Sequence, residues 1–329
     1  MFDLRNLRAT TATGLWESWS RGRVLALAFL LVLGNFAFQL AWYDRVGGLF
    51  APVAAGAIGG VFLPLLVLGW RWRWRRAQDF GLDRPTPVAA AGAVLMALAA
   101  LAPGSLLAYL SLKLHPVDAQ WLANYTQNLP VSATEIAVAA FAVVICGPLA
   151  EEIIFRGLIH RVFSRTWGPW PAIAASSIVF GLVHGEPWYL LGLIGVGLML
   201  AFIWEATGSL TACWLAHAVH NGISLGVMVA EGPAGAEPTT PTPVDLALAA
   251  GSLVMLVLVG RWLRRSGGAL TRRRRGIPPD LRWMAGRRTA GPPPNRYFAD
   301  SRSPLPKLIS PLSMRMLNPQ PGLWQTQAL

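Results

Sequence analysis

The sequence predicts an all-α fold, a polytopic membrane helical bundle of about eight transmembrane helices. Three observations predict it. Of 329 residues, 54% are hydrophobic and only 13% charged, against about a quarter charged in an ordinary soluble domain. The apolar residues gather in runs of roughly 20, the length that crosses a bilayer core as a helix. The arginines fall in alternate connections between those runs, as the positive-inside rule requires.

Taken in order, residues 1–23 form a polar basic segment carrying Arg5, Arg8, Arg21 and Arg23. Span one covers about Val24 to Tyr43 and ends on an interfacial aromatic pair, Trp42 and Tyr43. Within it Asn35 and Gln39 are four apart and suited to interhelical hydrogen bonds. Span two covers about Leu49 to Trp70, and the RWRWRRAQDFGLDRP stretch after it reads as a headgroup-level anchor. Span three runs from about Pro87 to Leu112, with Pro103 and Gly104 as a possible break, and a polar loop follows over 113–132. Span four begins near Ala133 and continues to Phe163. Spans five to eight cover about Trp170 to His184, Trp188 to Trp204, Leu210 to Ala230 and Val244 to Leu263. The glycines at 192, 195 and 197 suit close helix packing.

The chain therefore divides into the basic segment 1–23, a membrane domain over 24–263 with its core at 133–230, and a tail over 264–329. The tail is rich in Arg, Pro and Ser and has too little apolar content for a core, so it is expected to be disordered. Arg-rich stretches at the N-terminus, 71–84, 156–165 and after Arg261 alternate with Arg-poor loops at 44–48, 113–132, 185–187 and 231–243. Eight spans with both termini cytoplasmic satisfy that alternation, which places the protein in a cytoplasmic membrane. The first apolar run is too long, and lacks the small-residue site, for a cleaved signal peptide.

A net charge of +12 raises nucleic acid as a partner. The arginines sit beside apolar spans without a recognised binding motif, so topology and anionic lipid account for them, and no nucleic-acid partner is expected. Cys146 and Cys213 both lie inside apolar spans and read as small buried hydrophobes.

The chemistry concentrates in span four. Its apolar run AFAVVICGPLAEEIIFRGLIHRVF carries Glu151, Glu152 and Arg156. Ionisable groups at membrane depth are costly and mark a site. Glu152 and Arg156 are four apart with the acid on the N-terminal side, the better order for an ion pair. Glu151 is rotated about 100° away and left free for chemistry. Pro148 removes one helical hydrogen bond where the acids begin. Phe180 and His184 are four apart at the end of span five, as are His217 and Asn221 in span seven, with His220 beside them. Phe180 is expected to pack and shape the cavity, and His160 to be solvated near the cytoplasmic surface.

Depth follows from a rise of about 1.5 Å per residue. Glu151 lies about 12 Å below the cytoplasmic face, His217 about 13 Å, and His184 and Asn221 about 18–20 Å. They meet at one level if span five is short and its end, Gly185-Glu186-Pro187, dips into the membrane around a wet cavity. A carboxylate and an imidazole suit general-base activation of water, and His and Asn donors on a facing helix suit an oxyanion. Zinc held by Glu151, His184 and His217 is an alternative, since three protein ligands plus water is the usual catalytic pattern. The usual H-E-x-x-H spacing is absent, so no metal is the first expectation.

Glu151-Glu152-x-x-x-Arg156, Phe180-x-x-x-His184 and His217-x-x-x-Asn221, on successive spans, resemble the CPBP intramembrane endopeptidases, the CAAX-prenyl-protease type and its bacterial relatives. The resemblance covers about Ala133 to Ala230 and includes the Thr207-Gly208-Ser209-Leu210 turn. It implies a glutamate-type intramembrane protease acting on a membrane-associated protein or peptide. Glu151 and His184 would activate water, His217 and Asn221 would support the oxyanion, and Glu152 and Arg156 would take the family's paired positions. Some members are linked instead to bacteriocin immunity or to sorting of proteins, so a non-catalytic immunity or scaffolding factor is the rival. A proton-coupled transporter is a second rival, weakened by the lack of a visible inverted repeat.

Overall fold

The computed structural model describes residues 15–46, 48–232 and 240–275. Among them every regular element is helical. After a single turn at Leu15–Ser18 come α1 (Arg21–Val46), α2 (Phe50–Trp72), α3 (Pro87–Leu114), the short α4 (Ala119–Gln127) and α5 (Ala133–Trp167). Then follow α6 (Pro169–Val183), α7 (Leu190–Thr207), α8 (Leu210–Glu231) and α9 (Pro243–Arg275). Seven of these are long and apolar enough to cross a membrane, and α6 is a shorter apolar helix of 15 residues. The expected spans therefore appear in order, with the fifth the short one.

Three boundaries differ from the sequence reading. The helix α3 passes through Pro103 without breaking, because its neighbours α7, α8 and α9 hold it on several sides. The polar loop 113–132 contains α4, started by Asp118, whose carboxylate accepts from the backbone N–H of Gln120 and Trp121. The boundary expected at 264 falls inside α9, which continues to Arg275 through Ser266, Gly267 and Gly268. Residues 1–14 of the basic segment and 276–329 of the tail lie outside the described residues.

α5 is the most buried long helix, and every residue from Glu152 to His160 is buried. A helix apolar all round belongs at the centre of a bundle, and α5 contacts α1, α2, α6 and α8. Its first turn is fixed by a capping box in which Ser132 and Glu135 satisfy each other's backbone N–H. Glycines set the approach of the helices around it. At Gly60 of α2 an added Cβ would lie 2.3 Å from the Gly34 backbone of α1, so no side chain fits there. Gly192 and Gly195 face Ala108 and Leu107 of α3, and Gly197 faces Ser177 of α6. Asn35 and Gln39 of α1 lie against Gly56 of α2.

The Trp–Arg stretch after α2 folds onto itself. Trp72 and Trp74 pack against Trp19 at ring distances of 5.6 and 5.5 Å, and Trp74 packs on Phe80. Arg161 of α5 is held between the rings of Trp16 and Trp204. The outward faces of α1, α2 and α9 carry large exposed apolar side chains such as Phe29, Leu66 and Leu258, as lipid-facing helices do.

Candidate active site

The site is built where α5 departs from regular α geometry. Residues Phe141–Cys146 and Ile153–Ile159 form wide π turns, flanking the α-helical piece Gly147–Glu152 that carries both acids. Such turns are local and recur at functional sites. The first has a visible cause. Pro148 has no N–H and its ring crowds the carbonyl one turn back; Gly147 N–H reaches instead to Ala142 O, five residues back.

Glu152 is fully buried, and its Oε1 accepts from Arg156 Nη1 at 3.0 Å and from His217 Nδ1 at 2.9 Å. Arg156 also donates from Nη2 to Gly197 O at 3.0 Å, and its guanidinium lies 4.7 Å over the Phe180 ring. The expected pair is present, and it extends to α7 and α8. Phe180 is buried against Phe155 and His184, the packing role expected of it.

Glu151 faces elsewhere. Its Oε2 lies 3.9 Å from His184 Nε2 and 3.8 Å from His217 Nε2, and has no hydrogen-bond partner. The other nitrogen of each ring fixes the tautomer. His184 Nδ1 faces the Phe180 carbonyl at 2.7 Å, an acceptor only, so Nδ1 carries the hydrogen. His217 Nδ1 likewise faces the Glu152 carboxylate. In the neutral rings both Nε2 atoms are therefore bare and turned towards Glu151. Three acceptors converge on one small space with no donor among them. A water molecule at a hydrogen-bond distance of about 2.8 Å would donate to two of them.

The convergence that the depth estimate required is thus present for Glu151, His184 and His217. Span five is short, and Gly185, at φ +69°, turns the chain out of α6 into the 3-10 turn Pro187–Tyr189. Asn221 does not join the three. Its Nδ2 donates at 2.9 Å to Val143 O in the first wide turn of α5.

The carboxylate and imidazole donors have the chemistry of a catalytic zinc set. Their separations of 3.8 and 3.9 Å exceed the roughly 3.3 Å between ligands of a tetrahedral zinc at about 2.05 Å. Among the described residues no group of three or more His, Cys, Asp or Glu is arranged to hold a metal ion. As placed, the residues do not fit zinc without contracting.

Beyond the site, a cavity of about 350 Å³ is lined by Leu101, Tyr125, Tyr189, Ser224, Met228 and Glu231, among others. On α8 it begins a few residues past His217 and extends away from the Arg-rich end. Burial pushes the phenol of Tyr125 up to about 12, and its hydroxyl faces Met228 Sδ.

His160 departs from expectation. It is fully buried, with Nδ1 2.9 Å from Ser176 Oγ and Nε2 2.9 Å from Glu205 Oε1, which also accepts from Ser164 Oγ. The polar ring is buried because both of its nitrogens find partners, Ser176 in the interior and the partly exposed Glu205. The network joins α5, α6 and α7 and touches neither Glu151 nor His217. His160→Leu is therefore expected to destabilise by about 1–3 kcal/mol through the loss of its hydrogen bonds to Ser176 and Glu205. Unfolding temperature in detergent would fall; an unchanged value removes the structural role. Both cysteines are free and buried, as expected.

The fold and the site together define a multi-pass helical membrane protein with an acid and two histidines at one level inside the bundle. Residues 133–223 match the family described as Type II CAAX prenyl endopeptidase Rce1-like. The chain is 34% identical over 77 residues to a putative membrane peptidase, YdiL, of Bacillus subtilis strain 168, covering 23% of this chain and 32% of the relative. It is 31% identical over 111 residues to the membrane-embedded CAAX protease MroQ of Staphylococcus aureus strain USA300, covering 31% of this chain and 44% of the relative. The chain thus spans less than half the length of these two relatives. No solved structure matches it significantly.

Proposed function

We propose that the protein is an intramembrane endopeptidase that hydrolyses a peptide bond of a membrane-associated protein or peptide with water activated by Glu151 and His184. The observation that carries the reading is the convergence of Glu151 Oε2 with two bare imidazole nitrogens at 3.8 and 3.9 Å. Water attacks the carbonyl carbon and gives its proton to Glu151 or His184 as general base. The tetrahedral intermediate collapses with cleavage of the C–N bond, and that proton passes to the leaving nitrogen. His217 Nε2 takes up a second proton from solvent as substrate binds, donates it in a hydrogen bond to the oxyanion and returns it to solvent after collapse, while the Glu152 carboxylate on its Nδ1 stabilises the cation. The cavity beyond Ser224 would take substrate side chains a few residues from the scissile bond.

The Arg-rich end would face the cytoplasm of a cytoplasmic membrane, with both termini on that side. Cysteine at Asp118 should then react with an impermeant maleimide in intact cells, and cysteine at Arg73 should not; the reverse pattern inverts the topology.

Comparing protein termini in membranes of wild-type and Glu151→Gln strains tests the activity. Specific termini should disappear in the variant at equal protein level. An unchanged set together with a retained biological role would favour the non-catalytic scaffold. The zinc alternative is decided by metal content of the purified protein and by cleavage in the presence of a chelator. Stoichiometric zinc with chelator-sensitive cleavage would replace the metal-free mechanism.

A further inference from the structure

The carbonyl of Val143 has lost both of its helical partners. Its α-helical donor would be Gly147 N–H, which is committed to Ala142 O. Its donor in the wide turn would be the N–H of residue 148, and Pro148 has none. A carbonyl left bare in an apolar bundle is costly. Asn221 Nδ2 supplies the missing donor from α8 at 2.9 Å. Further along the same turn, Trp214 Nε1 donates to Ile145 O at 3.1 Å.

We propose that Asn221, with Trp214 as a second tether, is a positioning residue that sets the register between α5 and α8. Asn221 lies four residues from His217 on α8, and Val143 lies eight residues before Glu151 on α5. The bond therefore links the two elements whose side chains meet at 3.8 Å across the site. The His217–Glu152 bond ties the same two helices at the acids themselves. Asn221 acts on the reaction through Glu151 and His217, and its donor is spent on the defect that Pro148 creates. The kinetic part rests on the hydrolytic reading above; the structural part does not.

Pro148 makes the idea testable. In Pro148→Ala the N–H of residue 148 is restored five residues after Val143, so the need for Asn221 is removed. Asn221→Leu, nearly isosteric and without a donor, should lower kcat at least tenfold with KM within about twofold, as a small misplacement of reacting groups does. In the Pro148→Ala background the same change should cost less than about threefold. An equal loss in both backgrounds would make Asn221 a direct participant and overturn the proposal.

A second readout needs no turnover. Val143–Val144 is the only Val–Val pair in the sequence. Labelling valine with carbonyl ¹³C and with ¹⁵N in the full-length protein therefore singles out the Val143 carbonyl by its ¹³C–¹⁵N coupling. Asn221→Leu should move that resonance upfield, and should move it little in the Pro148→Ala background; Glu151→Gln should leave it in place. An unmoved resonance in Asn221→Leu overturns the proposal. If the wild-type protein turns over no substrate, the hydrolytic reading fails while the carbonyl shift still decides the tether. Asn221→Ala serves as the second variant should the leucine fail to fold.

Discussion

Glu151→Gln is expected to slow peptide-bond cleavage by about 10²–10⁴-fold, the contribution of a positioned general base. The amide keeps the shape of the side chain and loses the negative charge and basic oxygen that face His184 and His217. Oε2 makes no hydrogen bond to the rest of the protein, so expression and unfolding temperature should stay at wild-type values. Rates on a substrate identified by its vanished terminus, with thermal unfolding of the same preparations, check both halves. A variant that cleaves at more than a tenth of the wild-type rate would remove Glu151 from the chemistry.

Arg156→Leu should have the largest effect on stability, about 3–5 kcal/mol. It leaves Glu152 buried without its main counter-charge, the case in which breaking a buried pair is most costly. It also removes the Arg156 hydrogen bond to Gly197 O, and with it a tie between α5 and α7. The double variant Glu152→Gln, Arg156→Met should be markedly milder, because both buried charges are then gone and the amide oxygen can still accept from His217. Unfolding in detergent micelles measures both. Equal losses in the single and double variants would mean that packing, and not an orphaned charge, sets the cost.

Much of this was legible in the sequence because bilayer physics leaves few choices. Apolar run length located the spans to within a few residues, and counting 1.5 Å steps put Glu151 and His217 at a similar depth, with His184 deeper and able to join them only if span five were short. The Glu152–Arg156 pair followed from four-residue spacing alone. Other features depended on partners far away in the chain. His160 is bonded to Glu205, 45 residues on, and no local pattern distinguishes it from a solvated histidine. The task of Asn221 was hidden for another reason. Its acceptor exists only because the turn widens before Pro148, and a widened turn leaves no periodic signature. One miss was readable: Asp118 before Ala-Gln-Trp-Leu is a helix start.

The central claim is that Glu151 and His184 act on one shared water molecule. A double-mutant cycle tests it most directly: cleavage rates of Glu151→Gln, His184→Ala and the double variant on one defined substrate. Groups that act as a unit are strongly non-additive, so the double variant should be within about threefold of the slower single variant. If the two losses multiply in full, the groups serve separate steps and the account of a single activated water is wrong.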